Sequence, residues 1–183
     1  MELRKDTVTL ADLKHYEGKQ VAVNAWVANK RSSKVVAFIV ARDGTGYAQC
    51  VVGRDACGEE LYDKAKRIPL ESSLCLDGEV VRDEQQVGGY ELHVTRFGIY
   101  HEAEAYPLGK KEHGVDFLMD HRHLWLRSSR QWAVMRIRNQ IIYSVYQFFQ
   151  EQGFAKMDSP IFTGNAAEGT TDLFETDFFD EPA

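Results

Sequence analysis

Cysteine and long apolar runs are scarce in this sequence of 183 residues. The three cysteines, Cys50, Cys57 and Cys75, have no C-x-x-C spacing, which favours free thiols in a reducing compartment over disulfides or a zinc site. No run approaches the ~18 apolar residues that a membrane span needs. The charged first twenty residues also contain no apolar segment of a secretory signal. We therefore expect a cytoplasmic protein with no membrane partner.

Basic residues are missing from one end of the chain. The net charge is −6, and residues 163–183 contain no Lys or Arg. The acidic residues of that segment account for the whole imbalance: Glu168, Asp172, Glu175, Asp177, Asp180 and Glu181. The first fifty residues instead carry an excess of Lys and Arg, including KRSSK at 30–34. This asymmetry indicates two modules with different roles.

The first module has the pattern of short strands separated by turn residues. The alternation of apolar residues predicts strands at 20–30, 35–43, 47–53, 72–83 and 87–102, with a helix at 58–68. Three strands, a helix and two strands is the order of a five-stranded OB-fold β-barrel. A different small barrel or a sandwich would show a similar periodicity.

Three residues of this module have the chemistry of an oligonucleotide-binding face. OB barrels bind nucleic acid on strands 2 and 3, with aromatic rings for stacking and cations for the backbone. Phe38 lies on the predicted second strand, Gln49 lies on the third, and Arg31 lies in the basic loop before the second. The alternative for Phe38 is a core position, because an isolated Phe in an apolar strand is usually buried.

Residues 105–127 have the composition of a linker, and they divide the chain into domains at 1–104 and 128–183. The linker contains His113, His121 and His123, but no flanking Cys or paired Asp completes a ligand set. We therefore predict no metal site.

The strongest helical pattern follows the linker. Ser128 with Gln131 has the form of a capping box, and Gly153 has the form of a helix-ending residue. Between them, apolar residues recur at steps of three and four: Val134, Ile137, Ile141, Val145, Phe148 and Phe149. Further apolar residues widen this surface beyond one stripe, so the helix needs partners on more than one side.

A strand and a loop of small residues are predicted after the helix. FAKMDSPIF, at 154–162, is strand-like, and Pro160 restricts it to an edge or a bulge. GNAAEGTTDLFE follows at 164–175 and contains Glu168. From its residue types alone, Glu168 is an exposed loop carboxylate without a role.

The segment AWVANKRSSKVVAFIVARDGTGYAQCVV, at 25–52, resembles the anticodon-binding barrel of class IIb aminoacyl-tRNA synthetases, the aspartyl, asparaginyl and lysyl group. The resemblance implies that Phe38 stacks on an anticodon base, Gln49 reads the central uridine and Arg31 contacts the backbone or a base. It also implies that Glu91 helps to recognise the first anticodon base. Arg42 and Asp43 match the family too, but an Arg-Asp at a turn favours a structural role.

The long helix, the glycine and the proline-containing strand resemble motif 1 of class II synthetases, which forms the homodimer interface in that family. The resemblance implies that Ile137, Ile141, Phe148 and Pro160 lie in such an interface. The following loop resembles the one that closes over the amino acid, and this implies that Glu168 contacts the substrate ammonium. Its sequence EGTTDLFETDFF is more similar to asparaginyl than to aspartyl enzymes.

The whole pattern implies an α+β chain: an OB-fold barrel, a hinge and the start of a class II catalytic domain. The resemblance implies an asparagine–tRNA ligase that uses ATP and Mg²⁺ and binds tRNA and asparagine. Motifs 2 and 3 are absent from the sequence, so we expect a piece of a longer synthetase with no catalytic residue and no cofactor of its own. The alternatives are the same part of an aspartyl-tRNA synthetase and a non-catalytic module for RNA binding and dimerisation.

Overall fold

The computed structural model describes residues 2–86, 88–109, 111–161, 177–178 and 181–182. The chain divides into two compact units, Met1–Glu112 and His113–Ala183. The boundary between them lies inside the predicted linker at 105–127.

The first unit is a closed five-stranded barrel, which confirms the predicted OB fold. Its strands are β1 (Gln20–Ser32), β2 (Val36–Arg42), β3 (Tyr47–Gly53), β4 (Ser73–Arg82) and β5 (Tyr90–His101). They pair in the order β1-β2-β3-β5-β4, and β3 pairs with β5 in parallel whereas the other neighbouring strands run antiparallel. A 3₁₀ helix, Leu10–His15, precedes β1, and helix α1 (Arg54–Arg67) connects β3 with β4.

Alternate residues of each strand fill the barrel. The fully buried side chains of the strands include Val23, Val27, Ile39, Val52, Leu74, Leu76, Val80 and Leu92. On β2 the buried positions are Ala37, Ile39 and Ala41, so Phe38 lies on the outer surface, where it is half-buried. The core alternative for Phe38 is therefore wrong.

Helix α1 begins at Arg54, four residues before the predicted start at Gly58. Gly58 has φ 80° and ψ 161°, so the helical conformation is interrupted there and resumes afterwards. The glycine therefore marks a kink within the helix, and not its beginning.

The second unit consists of helices and one very short strand pair within the described residues. Helices α2 (Val115–Asp120) and α3 (Arg122–Trp125) precede the long helix α4 (Ser129–Glu151), and strands β6 (Asp177–Phe178) and β7 (Glu181–Pro182) pair antiparallel. None of the described helices is long and apolar enough to cross a membrane.

Both predicted ends of α4 are confirmed. At its start, the Ser128 side chain accepts a hydrogen bond from the Gln131 backbone N–H at 3.4 Å. At its end, Gly153 has φ 85° and donates to the Gln150 carbonyl, while Phe154 donates to the Phe149 carbonyl, each at 3.0 Å. These two bonds form a Schellman motif, and the Phe149 and Phe154 rings pack edge to face across it with centroids 5.5 Å apart.

The strand predicted at 154–162 is not formed in its described part. Residues 154–161 have no regular secondary structure. A strand needs a neighbour that accepts and donates backbone hydrogen bonds, and no described strand pairs with this segment. Pro160 also has no N–H to contribute.

Candidate nucleic-acid interface

The four residues expected to contact an anticodon lie side by side on the outer surface of the barrel. Arg31 on β1 is the direct partner of Phe38 on β2. Gln49 on β3 is the direct partner of Glu91 on β5. The closed barrel therefore brings together residues from four strands, including a pair 42 positions apart in sequence.

One continuous series of contacts joins the side chains of Phe38, Arg31, Gln49 and Glu91, and we call these four residues the relay. The Arg31 guanidinium lies over the Phe38 ring, 4.5 Å from its centroid. The same guanidinium donates from Nη2 to Gln49 Oε1 at 3.0 Å. Gln49 in turn donates from Nε2 to Glu91 Oε2 at 3.0 Å.

His93 contacts the relay at Glu91 and was not predicted from the sequence. Its Nε2 lies 2.7 Å from Glu91 Oε1. The Glu91 side chain is only 13% exposed, whereas that of His93 is 50% exposed. The available signal was the period of two along β5, which places residues 91 and 93 on one face.

The relay fixes the orientation of the Gln49 amide. Arg is a donor only and an ionised carboxylate is an acceptor only, so a flipped amide would face a donor with its NH₂ and an acceptor with its C=O. The surface consequently presents an aromatic ring, a planar cation, an oriented amide and a carboxylate. These are the groups with which proteins stack on unpaired bases and read their polar edges.

Helix α1 anchors the basic segment at 30–34, whose first three residues, including Arg31, belong to β1 and not to the predicted loop. The Tyr62 hydroxyl donates to the Ser33 carbonyl, and Lys30 Nζ donates to the Lys66 carbonyl at 2.8 Å. Partial burial lowers the pKa of Lys30 below its usual value. Because Lys30 and Ser33, on either side of Arg31, are both hydrogen-bonded to α1, the backbone of Arg31 is held in a fixed position.

Arg42 and Asp43 hold the barrel together, as the sequence favoured. Arg42 forms a two-pronged ion pair with Glu71, at 3.2 and 2.7 Å, and the two side chains are 14% and 12% exposed. Asp43 accepts from the backbone N–H of Leu10 at 2.7 Å and of Thr45 at 2.9 Å. Their partners are thus parts of the barrel and its 3₁₀ helix.

The three cysteines are free, as predicted. Cys50 and Cys75 are buried, and burial raises the pKa of Cys50 to about 12. Cys57 is half-buried, and its thiol donates to the Val94 carbonyl at 2.6 Å.

No cluster of His, Cys, Asp and Glu in the described part of the chain could hold a metal ion. Two of the linker histidines instead stack on an aromatic ring. His113 and His121 lie 4.8 and 4.3 Å from Phe117, centroid to centroid.

The residues expected in a dimer interface are exposed in the single chain. Ile137, Ile141 and Phe148 on α4 are 62%, 59% and 57% exposed, and Pro160 is also exposed. Glu168, expected to bind the amino acid, lies outside the described residues.

Two protein families match successive parts of this chain. Residues 21–100 match the OB-fold nucleic acid binding domain of the tRNA anticodon family. Residues 114–180 match the class II tRNA synthetases (D, K and N). The two matches follow one another in the order that the barrel and the second unit have in the structure.

The chain is also similar to solved synthetase structures. Asparaginyl-tRNA synthetase from Pyrococcus horikoshii, complexed with asparaginyl-adenylate, superposes with a TM-score of 0.84 at 29% identity, over 96% of this chain and 41% of that one. A second crystal structure of asparaginyl-tRNA synthetase from Pyrococcus horikoshii superposes with a TM-score of 0.82 at 27% identity, over 97% of this chain and 41% of that one. A putative aspartyl-tRNA synthetase from Leishmania major Friedlin shares the fold. It superposes with a TM-score of 0.80 at 21% identity, over 100% of this chain and 38% of that one. The chain thus spans about 41% of the length of the asparaginyl enzyme.

Proposed function

We propose that this chain, which carries the anticodon-binding OB domain and the motif 1 region of a class II tRNA synthetase, is the tRNA-recognition part of an asparagine–tRNA ligase. The observation that carries the proposal is the relay of Arg31, Phe38, Gln49 and Glu91 on one face of the barrel. The 29% identity with an asparaginyl enzyme supports asparagine as the amino acid.

Each member of the relay has a role in binding an anticodon loop. Phe38 and the planar Arg31 guanidinium offer stacking surfaces for bases, and Arg31 also attracts phosphate. The Gln49 amide can pair with the N3–H and a carbonyl of the central uridine. The Glu91 carboxylate can accept from the N1–H and N2–H groups of a guanine at the first position.

The chemistry of the ligase is proposed for the complete synthetase. It would activate asparagine with ATP and Mg²⁺ and pass it to tRNA. Glu168 would bind the ammonium of asparagine, because a carboxylate is the natural partner of an ammonium in a partly closed site.

We further propose that the protein is a cytoplasmic homodimer joined through α4. The exposed apolar side chains of Ile137, Ile141 and Phe148 lie on one helix and would be covered by a second copy, together with Pro160. The three free thiols agree with a reducing compartment.

The test is binding of RNA hairpins that differ in one anticodon base. The genetic code gives asparagine the anticodon GUU and aspartate GUC, so these hairpins separate the two amino acids. We expect the chain to bind the GUU hairpin more tightly than the GUC hairpin, and much more tightly than a GCU hairpin with a changed central base. Tighter binding of GUC would replace asparagine by aspartate. Equal binding of GUU and GCU would contradict the assignment of the relay.

A further inference from the structure

His93 contacts the relay at Glu91 but has no part in the recognition proposed above. It lies two residues from Glu91 on the same outer face of β5, and its Nε2 is 2.7 Å from Glu91 Oε1. Glu91 therefore has a neighbour at each oxygen: His93 at Oε1 and Gln49 at Oε2. As its partner is a carboxylate, the imidazole nitrogen at this position is the donor.

The backbone of His93 is held in place by a close approach of β4. Gly78 packs so tightly against β5 that a Cβ at this position would overlap the His93 carbonyl group. His93 is paired with Glu79 on β4 and with Val51 on β3. The imidazole thus projects from a fixed site, although half of its own surface is exposed.

A carboxylate on a strand surface can rotate about its side-chain bonds unless both oxygens are engaged. Gln49 alone constrains one oxygen of Glu91, whereas His93 and Gln49 together constrain the whole plane of the carboxylate. Loss of the His93 hydrogen bond would free Glu91 to turn toward solvent. The orientation of the Gln49 amide would then rest on Arg31 alone.

We propose that His93 is a positioning residue for anticodon reading: by engaging Oε1 of Glu91, it orients the carboxylate that discriminates the first anticodon base. The inference rests on the proposed function, because it assigns a role within the same RNA-binding face. It predicts an effect on selectivity for guanine, since only guanine presents N1–H and N2–H donors to the carboxylate. Adenine, of similar size and stacking surface, has neither donor on that edge.

The experiment compares hairpins with the anticodons GUU and AUU on His93→Ala, His93→Gln and the unchanged chain. We expect His93→Ala to lower the preference for GUU over AUU by about threefold to tenfold, as for the loss of one hydrogen bond. His93→Gln keeps a side-chain N–H donor and should recover most of that preference. The matched control is His101→Ala, which removes an exposed histidine from the other end of β5 and should leave the preference unchanged.

The outcomes separate this inference from the function on which it rests. If the unchanged chain prefers GUU to AUU and His93→Ala keeps that preference, the positioning role is wrong while anticodon binding stands. An equal loss of affinity for both hairpins would likewise overturn it, because it would indicate a general contact with RNA or damage to the barrel. If the unchanged chain binds no hairpin, the proposed function and this inference fall together. Thermal unfolding of each variant identifies damage to the barrel.

Discussion

Replacement of Phe38 by alanine tests the RNA-binding face most directly. The ring lies on the outer surface of β2 and contacts the Arg31 guanidinium at 4.5 Å. Stacking of a base on an aromatic side chain is worth ~1–3 kcal/mol, which corresponds to a loss of affinity of roughly fivefold to 150-fold. We expect Phe38→Ala to weaken binding of the GUU hairpin by about tenfold or more.

The stability of the barrel should change little in this variant. Ala37 and Ile39, the neighbours of Phe38 on β2, fill the interior and are untouched. Surface substitutions usually change the free energy of unfolding by no more than about 0.5 kcal/mol. Circular dichroism and urea unfolding check this, and fluorescence anisotropy with a labelled hairpin gives the affinity.

The matched control is Trp26→Ala, which removes an aromatic side chain that is 40% exposed on β1 and lies outside the relay. Phe38→Tyr provides the conservative replacement, because it keeps the stacking surface. The reasoning is refuted if Phe38→Ala binds the hairpin normally while the barrel is folded. It is also refuted if Trp26→Ala loses as much affinity as Phe38→Ala does.

Four further changes test other parts of the molecule. Arg31→Ala should reduce the slope of log affinity against log salt by about one, because it removes one cation from the proposed RNA-binding face. Hairpin titrations over a series of KCl concentrations measure this slope, and an unchanged slope would argue against a phosphate contact. Arg42→Ala should lower the free energy of unfolding by about 3 kcal/mol in urea, since it leaves the largely buried Glu71 carboxylate without its guanidinium partner; a change below about 0.5 kcal/mol would mean that the ion pair is not structural. Ile141→Asp should convert a dimer to a monomer in analytical ultracentrifugation, whereas Asn139→Asp on the same helix should not; a monomeric unchanged protein would contradict the proposed dimer. Glu168→Ala in the complete synthetase should raise the KM for asparagine much more than the KM for ATP, and equal effects would return Glu168 to an exposed loop residue.

Much of the barrel could be predicted from the sequence because its signals are local. Apolar alternation and the turn residues between the strands predicted β3 with its observed bounds and placed the other strands within a few residues. The predicted start of α1 was wrong because a glycine usually lies at the end or the beginning of a helix. Here Gly58 lies within α1 with φ 80°. The 3₁₀ helix was not predicted, since its two buried residues, Leu10 and Leu13, make too short a pattern.

The relay could be predicted only in part. Once Ala37, Ile39 and Ala41 point inward, the strand period requires that Phe38 points outward, but the sequence alone did not fix which alternate set was buried. The contact of Gln49 with Glu91 depends on the parallel pairing of β3 with β5, strands that are separated by α1 and β4. Non-local pairing of this kind leaves no local signal. His93 is different, because it contacts Glu91 two residues away on the same strand, and the period of two along β5 could have identified it.

The contacts of the unbound relay indicate how affinity and selectivity are divided among its members. Gln49 is hydrogen-bonded to Arg31 and to Glu91 in the free protein, so a cognate base exchanges these bonds for others and gains little net free energy from them, while His93 remains on Oε1 of Glu91. A wrong base cannot make the replacement bonds and leaves half-buried polar groups unpaired, which costs more than a correct contact gains. Phe38 and Arg31 instead add stacking and charge that any base and any phosphate can use. Affinity should therefore depend mainly on the ring and the guanidinium, and selectivity on the amide and the carboxylate.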